Sequence, residues 1–205
     1  RGIRLMVDTL SEARALQTEV IDLRRAIHAE PELGNNLPAT TAKVEAALAG
    51  LPLTIRQSRD TTSLVATLEG GQPGRRILLR ADMDALPMPE DNDLPFASQA
   101  AGRMHACGHD SHTAMLVGAA KILSKHKEQI PGTVDFFFQT GEEGHFGAKV
   151  VMDEGLFDAP NEPDAVFALH IAPLLEIGKV IGRPGTMMAA ADTWEITVRG
   201  KGGHA

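Results

Sequence analysis

Apolar residues recur along the chain in two alternating patterns, one typical of helices and one of strands. Over residues 9–28 they fall at spacings of three and four, which predicts an amphipathic helix with Thr9 or Ser11 as its cap. Similar patterns predict helices over 39–48, 111–126 and 148–154. Between them, apolar runs predict strands at 53–57, 63–68, 76–82, 133–139 and 164–170.

The order of these elements indicates the fold class. The runs at 76–82 and 133–139 are apolar throughout their middle, which is typical of strands covered on both faces. Strands separated by loops and helices predict an α/β fold built on a mostly parallel mixed sheet with helices on both faces.

The pattern changes after Gly182. An Arg-Pro-Gly-Thr linker at 183–186 precedes a strand-like alternation of polar and apolar residues over 191–199. We therefore predict a first domain over 1–183 and the beginning of a smaller second domain over 184–205, which the chain does not complete.

Composition narrows the classes of partner. The formal charge is −7 and the pI is about 5.6, whereas nucleic acids and anionic membranes attract clustered Lys and Arg. No apolar run reaches about 18 residues and no signal-peptide pattern is present, so neither a membrane span nor secretion is expected. A single cysteine excludes an internal disulfide and fits a reducing cytoplasm.

Potential metal ligands are concentrated at 105–112, which reads His-Ala-Cys-Gly-His-Asp-Ser-His. In an extended loop Cys107 and His109 can point the same way, with Gly108 free to take an unusual backbone conformation. Two alternatives for Cys107 are a small buried apolar residue and a catalytic thiol. The stretch predicts a metal site if the fold supplies further ligands.

Such ligands follow three predicted strands. Asp82, Glu142, Glu143 and His170 all lie at or just after strand carboxyl ends, where ligands collect in α/β sheets. Glu142 and Glu143 are adjacent, so we expect their side chains to diverge, one toward metal and one toward substrate. The alternatives are a solvated acidic turn for the glutamates and a backbone-bonded histidine for His170.

Six segments in order resemble one family of metal-dependent amidohydrolases. It includes hippurate hydrolase, N-acyl-L-amino acid amidohydrolases and indole-3-acetyl-amino-acid hydrolases, within the aminoacylase and carboxypeptidase-G group of metallopeptidases. The matching segments are 24–33, 79–87, 104–112, 139–144, 169–173 and 200–205. Gln-Thr-Gly-Glu-Glu at 139–143 departs slightly from the expected Gln-Pro-Ala-Glu-Glu but keeps both glutamates.

The resemblance implies a zinc-exopeptidase-like fold with a two-metal site in each subunit. Cys107, His109, Glu143 and His170 match four ligand positions, and a fifth, a histidine, belongs to a family segment that this chain lacks. This mixed ligand set suits zinc and tolerates manganese, cobalt or nickel. The second domain corresponds to the family's lid and dimerisation domain, so the complete protein is expected to be a homodimer or higher oligomer.

The resemblance also implies catalytic roles. Glu142 matches the general base, and His204 matches a histidine that reaches from the partner subunit toward the substrate carbonyl. Asp82 is expected to orient a ligating histidine. Asp84 reads as structural, Asp110 and Ser111 as helix caps, and His28 as a surface residue on a helix.

Together these features predict hydrolysis of the amide bond of N-acyl amino acids or related small amides by metal-activated water. A non-catalytic metal-binding homologue and a thiol redox enzyme are the alternatives from other classes. We expect the 205-residue chain to be inactive or poorly active by itself.

Overall fold

The protein was analysed as a computed structural model, which describes residues 8–189, 192 and 194–204. It divides into two compact units, one ending at Ile171 and one beginning at Ala172. The helices are α1 (Thr9–Ala15), α2 (Gln17–His28), α3 (Pro38–Leu48), α4 (His109–Lys125) and α5 (Gly147–Asp153), with a short 3-10 helix at Lys127–Gln129. The strands are β1 (Thr54–Gln57), β2 (Leu64–Glu69), β3 (Gln72–Asp82), β4 (Pro131–Gln139) and β5 (Ala165–Ala168).

The five strands form one mixed sheet in the order β1-β2-β4-β3-β5. Strand β3 pairs in parallel with both β4 and β5, as expected for a core of parallel strands. Strand β2 pairs antiparallel with β1 and with β4. The predicted α/β fold is confirmed, and the two antiparallel pairings add a feature that the strand order along the sequence does not reveal.

Alternate residues of the strands build two apolar layers. Phe136 and Phe138 of β4 face a core that includes residues of α3 and α4, whereas Phe137 faces the opposite side and packs with Val151 of α5. Successive side chains of a strand point to opposite faces, so this alternation buries both faces of β4. The prediction of helices on both faces of the sheet is therefore confirmed.

The N-terminal amphipathic pattern forms two helices, not one. Leu16 ends α1 and precedes α2, and its N–H bonds the carbonyls of Glu12 and Ala13. The cap of α1 is Asp8, whose side chain accepts a hydrogen bond from the Ser11 N–H at 3.0 Å. The prediction of Thr9 or Ser11 as the cap was wrong, because the helix begins at Thr9 itself.

In the unit that begins at Ala172, no residue among 172–189, 192 and 194–204 forms a helix or strand. A strand was predicted over 191–199, but residues 192 and 194–199 form none. Residues 191 and 193 lie outside the described residues. The domain boundary at 183/184 stays a prediction. None of the described helices is both long and apolar enough to cross a membrane.

Candidate metal centre

The carboxyl ends of three parallel strands place the predicted ligands at one edge of the sheet. Asp82 at the end of β3 is in register with Gln139 at the end of β4, and Arg80 of β3 is in register with Ala168 of β5. The loops that follow these ends carry Glu142, Glu143 and His170. Strand register thus brings these residues to the same edge of the sheet.

Gly108 allows the loop that contains Cys107 to pack closely against Ile171, in the loop that follows β5. Its φ is +85°, and a Cβ added there would lie 2.1 Å from Cδ1 of Ile171. Both the left-handed backbone and the close contact therefore require glycine. As a result, Cys107 and His109 on either side of Gly108 lie next to His170.

His109 is the central side chain of the site. It is fully buried, and its Nδ1 hydrogen-bonds the backbone carbonyl of Asp84 at 2.8 Å. This bond leaves Nε2 as the unprotonated nitrogen of a neutral ring. Nε2 is buried without a hydrogen-bond partner, which is costly unless an atom absent from the protein occupies the space in front of it.

Carboxylates surround that nitrogen. The Nε2 atom lies 3.6 Å from Oδ2 of Asp82 and 3.9 Å from one carboxylate oxygen each of Glu142 and Glu143. Burial favours the neutral ring, but the hydrogen bond to Asp84 and the charges of Asp82 and Asp84 raise the pKa of His109. A cation in this space would satisfy the same carboxylates.

Cys107 and His170 complete the donor set. The Sγ atom of Cys107 lies 3.3 Å from Nε2 of His170, whose Nδ1 donates to the carbonyl of Ile171 at 2.6 Å. One donor atom each from Cys107, His109 and His170 lies within 4.8 Å of the others, as does one each from His109, Glu142 and Glu143. Thiol, imidazole and carboxylate donors at this spacing fit divalent metal ions such as zinc.

Without metal, the cysteine is held as a thiol. Burial raises the pKa of Cys107 to about 12, together with the charge of Glu143 and a hydrogen bond to it. A catalytic thiol requires a lowered pKa, and the shift of Cys107 is in the opposite direction. A thiol that coordinated a metal ion would, in contrast, be deprotonated and release its proton to solvent.

The two glutamates do not diverge as expected, since both carboxylates lie equally close to His109. They differ in exposure: the Glu142 side chain is 42% exposed and that of Glu143 25%. Their backbone N–H groups donate to the two oxygens of Asp84 at 3.0 and 2.9 Å. Asp84 therefore fixes the loop that carries both glutamates. Its position just beyond β3 is the only signal in the sequence that could have suggested this role.

Asp82 was expected to orient a ligating histidine, but its hydrogen bond is to His112, which is not one of the proposed ligands. Its Oδ1 accepts from Nδ1 of His112 at 2.6 Å, and Arg80 donates to its Oδ2 at 2.7 Å. His112 in turn accepts the N–H of Ile171 at 2.9 Å. Sequence reasoning left the role of His112 open; the structure places it between the carboxylate of β3 and the backbone beside His170.

Two interpretations of the sequence were wrong. His28 is only 3% exposed and is not a surface residue, because Asp110, 82 positions away in the sequence, and Glu90 both contact its ring. Asp110 and Ser111 are not the N-cap of α4, because both lie in its first turn and the N-cap is Gly108. One oxygen of Asp110 accepts the Ser111 N–H, and the other binds His28 and Arg24. His204 lies in the unit that begins at Ala172, is exposed, and its catalytic role stays a prediction.

Residues 78–203 match the model of a family described as Peptidase family M20/M25/M40. N-acetylcysteine deacetylase of Bacillus subtilis is 40% identical over 193 residues, which are 94% of this chain and 50% of that protein. IAA-amino acid hydrolase ILR1-like 5 of Arabidopsis thaliana is 39% identical over 186 residues, 91% of this chain and 42% of that protein. The chain thus spans about half the length of these curated relatives.

Among solved structures, the YXEP protein of Bacillus subtilis, described as a dinuclear metal binding peptidase, has a TM-score of 0.74 and 39% identity to this chain. The superposition covers 79% of this chain and 45% of that protein.

Proposed function

Because this chain belongs to peptidase family M20/M25/M40, we propose that it forms the metal-binding part of an enzyme that hydrolyses the amide bond of N-acyl amino acids or similar small amides. The observation that carries this proposal is the buried, unpartnered Nε2 of His109, faced by carboxylates and next to a thiol and a second imidazole. The relatives named for N-acetylcysteine and for IAA-amino acids support the substrate class.

We assign the metal ligands as Cys107, His109, Glu143 and His170. Two divalent ions are proposed because the assigned ligands fall in two of the three donor groups that contain His109, and because the YXEP protein is described as dinuclear. The third group consists of Asp82, His109 and His112, and there Asp82 and His112 are bonded to each other. Zinc, manganese, cobalt and nickel are all compatible with thiolate, imidazole and carboxylate donors. Bound divalent ions supply Lewis-acid chemistry and lower the pKa of a coordinated water to about 7.

Glu142 is assigned as the general base. Its carboxylate lies within 4.8 Å of the shared His109 and Glu143 donor atoms and is the more exposed of the glutamate pair, so it can reach both water and substrate. It takes a proton from the attacking water and passes it to the nitrogen of the leaving amine. Asp84 holds its backbone, which limits the positions that the carboxylate can take.

Further parts of the proposal concern the complete protein. By family resemblance, His204 stabilises the developing oxyanion from a partner subunit in a homodimer, and 184–205 begin the lid and dimerisation domain. A reducing cytoplasm is the proposed location, because Cys107 must remain unoxidised to bind metal.

The test uses the complete polypeptide that contains this chain. Purified protein is stripped with a chelator and assayed against N-acetyl, N-benzoyl and indole-acetyl amino acids, before and after addition of zinc, manganese, cobalt or nickel. We expect release of free amino acid to stop on stripping and to return with at least one of these metals. Metal binding without hydrolysis of any substrate would favour the non-catalytic homologue instead.

A further inference from the structure

The segment 24–33 is one of the six family motifs, yet the proposed reaction uses none of its residues. Two of its side chains, Arg24 and His28, lie on α2 and point to the first turn of α4. His28 is the more deeply placed of the two, since its side chain is 4% exposed and that of Arg24 30%. The contacts of His28 give this motif a physical role.

His28 lies between two buried carboxylates. Its Nδ1 is 2.7 Å from Oδ2 of Asp110, and its Nε2 is 3.1 Å from Oε1 of Glu90. The side chains of Asp110 and Glu90 are 0% and 2% exposed. An Nη2 atom of Arg24 also lies 3.4 Å from Nδ1, farther away than the Asp110 oxygen at 2.7 Å. Since ionised carboxylates only accept hydrogen bonds, the two shorter contacts require both ring nitrogens to donate, and only the imidazolium can do so.

Charge balance leads to the same protonation state. Arg24 also binds Asp110, with its Nε 2.7 Å from Oδ2, so the cluster holds two anions and one fixed cation. The cluster is neutral only if His28 carries the second positive charge. A neutral residue at this position would leave a net negative charge buried, which is strongly unfavourable.

The neighbours of His28 agree with a charged ring. The hydrogen bond to Asp110 raises the pKa of His28, with a further contribution from Glu90, and together they outweigh burial and the positive charge of Arg24. His105, whose ring centroid lies 6.2 Å away, is buried, and neither of its ring nitrogens has a hydrogen-bond partner in the described part of the chain. Phe96 packs edge-on to His28 with ring centroids 5.5 Å apart, and the guanidinium groups of Arg24 and Arg25 each lie 5.0 Å from the centre of the Phe96 ring.

Through His28, helix α2 contacts both the loop after β3 and the first turn of α4, which carries the proposed ligand His109. Asp110 directly follows His109, and its Oδ1 accepts the N–H of Ser111 within the same turn. Glu90 belongs to the loop after β3, where its other oxygen accepts the N–H of Ser98 at 2.6 Å. We propose that His28 is a positioning residue, which acts as a charged link between α2 and the turn 107–110 and holds that turn in the geometry that binds metal.

This inference rests on the proposed function, since it concerns the affinity of the same metal site. The main variant is His28→Gln, and the matched control is Ile27→Ala, a buried neighbour on the same helix that touches neither carboxylate through a polar group. Residues that orient metal ligands change metal affinity or activity by about 10- to 100-fold. We expect His28→Gln to weaken zinc binding within that range and to lower kcat more than it raises KM.

Ile27→Ala should lower the unfolding temperature through lost packing and leave zinc affinity within about twofold of the original. Equal zinc affinity of His28→Gln and the unsubstituted protein would overturn the inference. A parallel loss in Ile27→Ala would also overturn it, because any destabilisation of α2 would then suffice. If the unsubstituted protein bound none of zinc, manganese, cobalt and nickel, the proposed function would fail. If it bound metal and His28→Gln bound that metal equally well, only the present inference would fail.

A double variant tests the charge itself and covers the case in which His28→Gln does not fold. His28→Gln removes the cation, and adding Glu90→Gln removes one of the two anions, so that Asp110 and Arg24 again balance. We therefore expect zinc affinity and the unfolding temperature to recover in the double variant. In addition, nitrogen NMR of histidine-labelled, metal-free protein at pH 7.5 should show both nitrogens of His28 protonated. A single protonated nitrogen, or no recovery in the double variant, would contradict a charged link.

Discussion

Replacing Glu142 by Gln is expected to lower kcat for amide hydrolysis by about 10²- to 10⁴-fold, the range typical of a lost general acid–base group. The amide of Gln keeps nearly the same shape but cannot accept a proton from water at neutral pH. Because Glu142 is not among the assigned ligands, the variant should retain its full metal content. The measurement is kcat and KM on the best N-acyl amino acid, with metal content determined on the same samples.

Two control variants make this prediction specific. Glu162→Gln makes the same chemical change at an exposed position and should retain full activity. Glu143→Gln removes an assigned ligand, so it should lose metal and activity together. A Glu142→Gln enzyme with near-normal kcat would show that another group moves the proton, and loss of metal from it would show that the two glutamates have the opposite roles.

Replacing Cys107 by Ser is expected to weaken metal binding and to remove the proton that metal binding displaces. Burial and Glu143 raise the pKa of Cys107 to about 12, so the metal-free protein carries a neutral thiol throughout neutral pH. Metal binding must expel that proton. Below the raised pKa, affinity should therefore increase with pH, by about tenfold per pH unit from this group alone, and decrease as the pH falls.

Calorimetric titration in buffers of different ionisation enthalpy measures this effect. We expect the original protein to release about one proton more per site than Cys107→Ser at pH 7.5. Cobalt provides an independent readout, since a thiolate-to-metal charge-transfer band should be present in the original protein and absent from the serine variant. Equal proton release and an unchanged cobalt spectrum would remove Cys107 from the ligand set.

The parts of the fold that sequence could predict are those with a local signal. The apolar runs that became β3 and β4, and the acidic residues just after them, indicate both the sheet and the edge where Asp82 and Glu142 lie. The break at Leu16 has no such signal, because the apolar stripe continues across it. The antiparallel pairing of β2 with β4 likewise depends on contacts between segments that are far apart in the sequence.

The candidate site likewise contains residues that the sequence could single out and residues that it could not. Cys107 and His109 could be singled out because they are close together in the sequence, and His170 and the glutamates because they follow strands. His28 could not, since its partner Asp110 is 82 residues away and a histidine on an amphipathic helix is ordinarily exposed. Buried polar pairs across such separations leave no periodic pattern, so only the folded arrangement reveals them.

The central claim is that donors from three loops hold two metal ions beside Glu142. Anomalous diffraction from crystals of the complete protein grown with zinc tests it most directly. We expect two peaks about 3.5–4 Å apart, one of them about 2.3 Å from Sγ of Cys107, among His109, His170 and Glu143. Peaks located elsewhere, or zinc-loaded crystals with no peak near Nε2 of His109, would contradict the account.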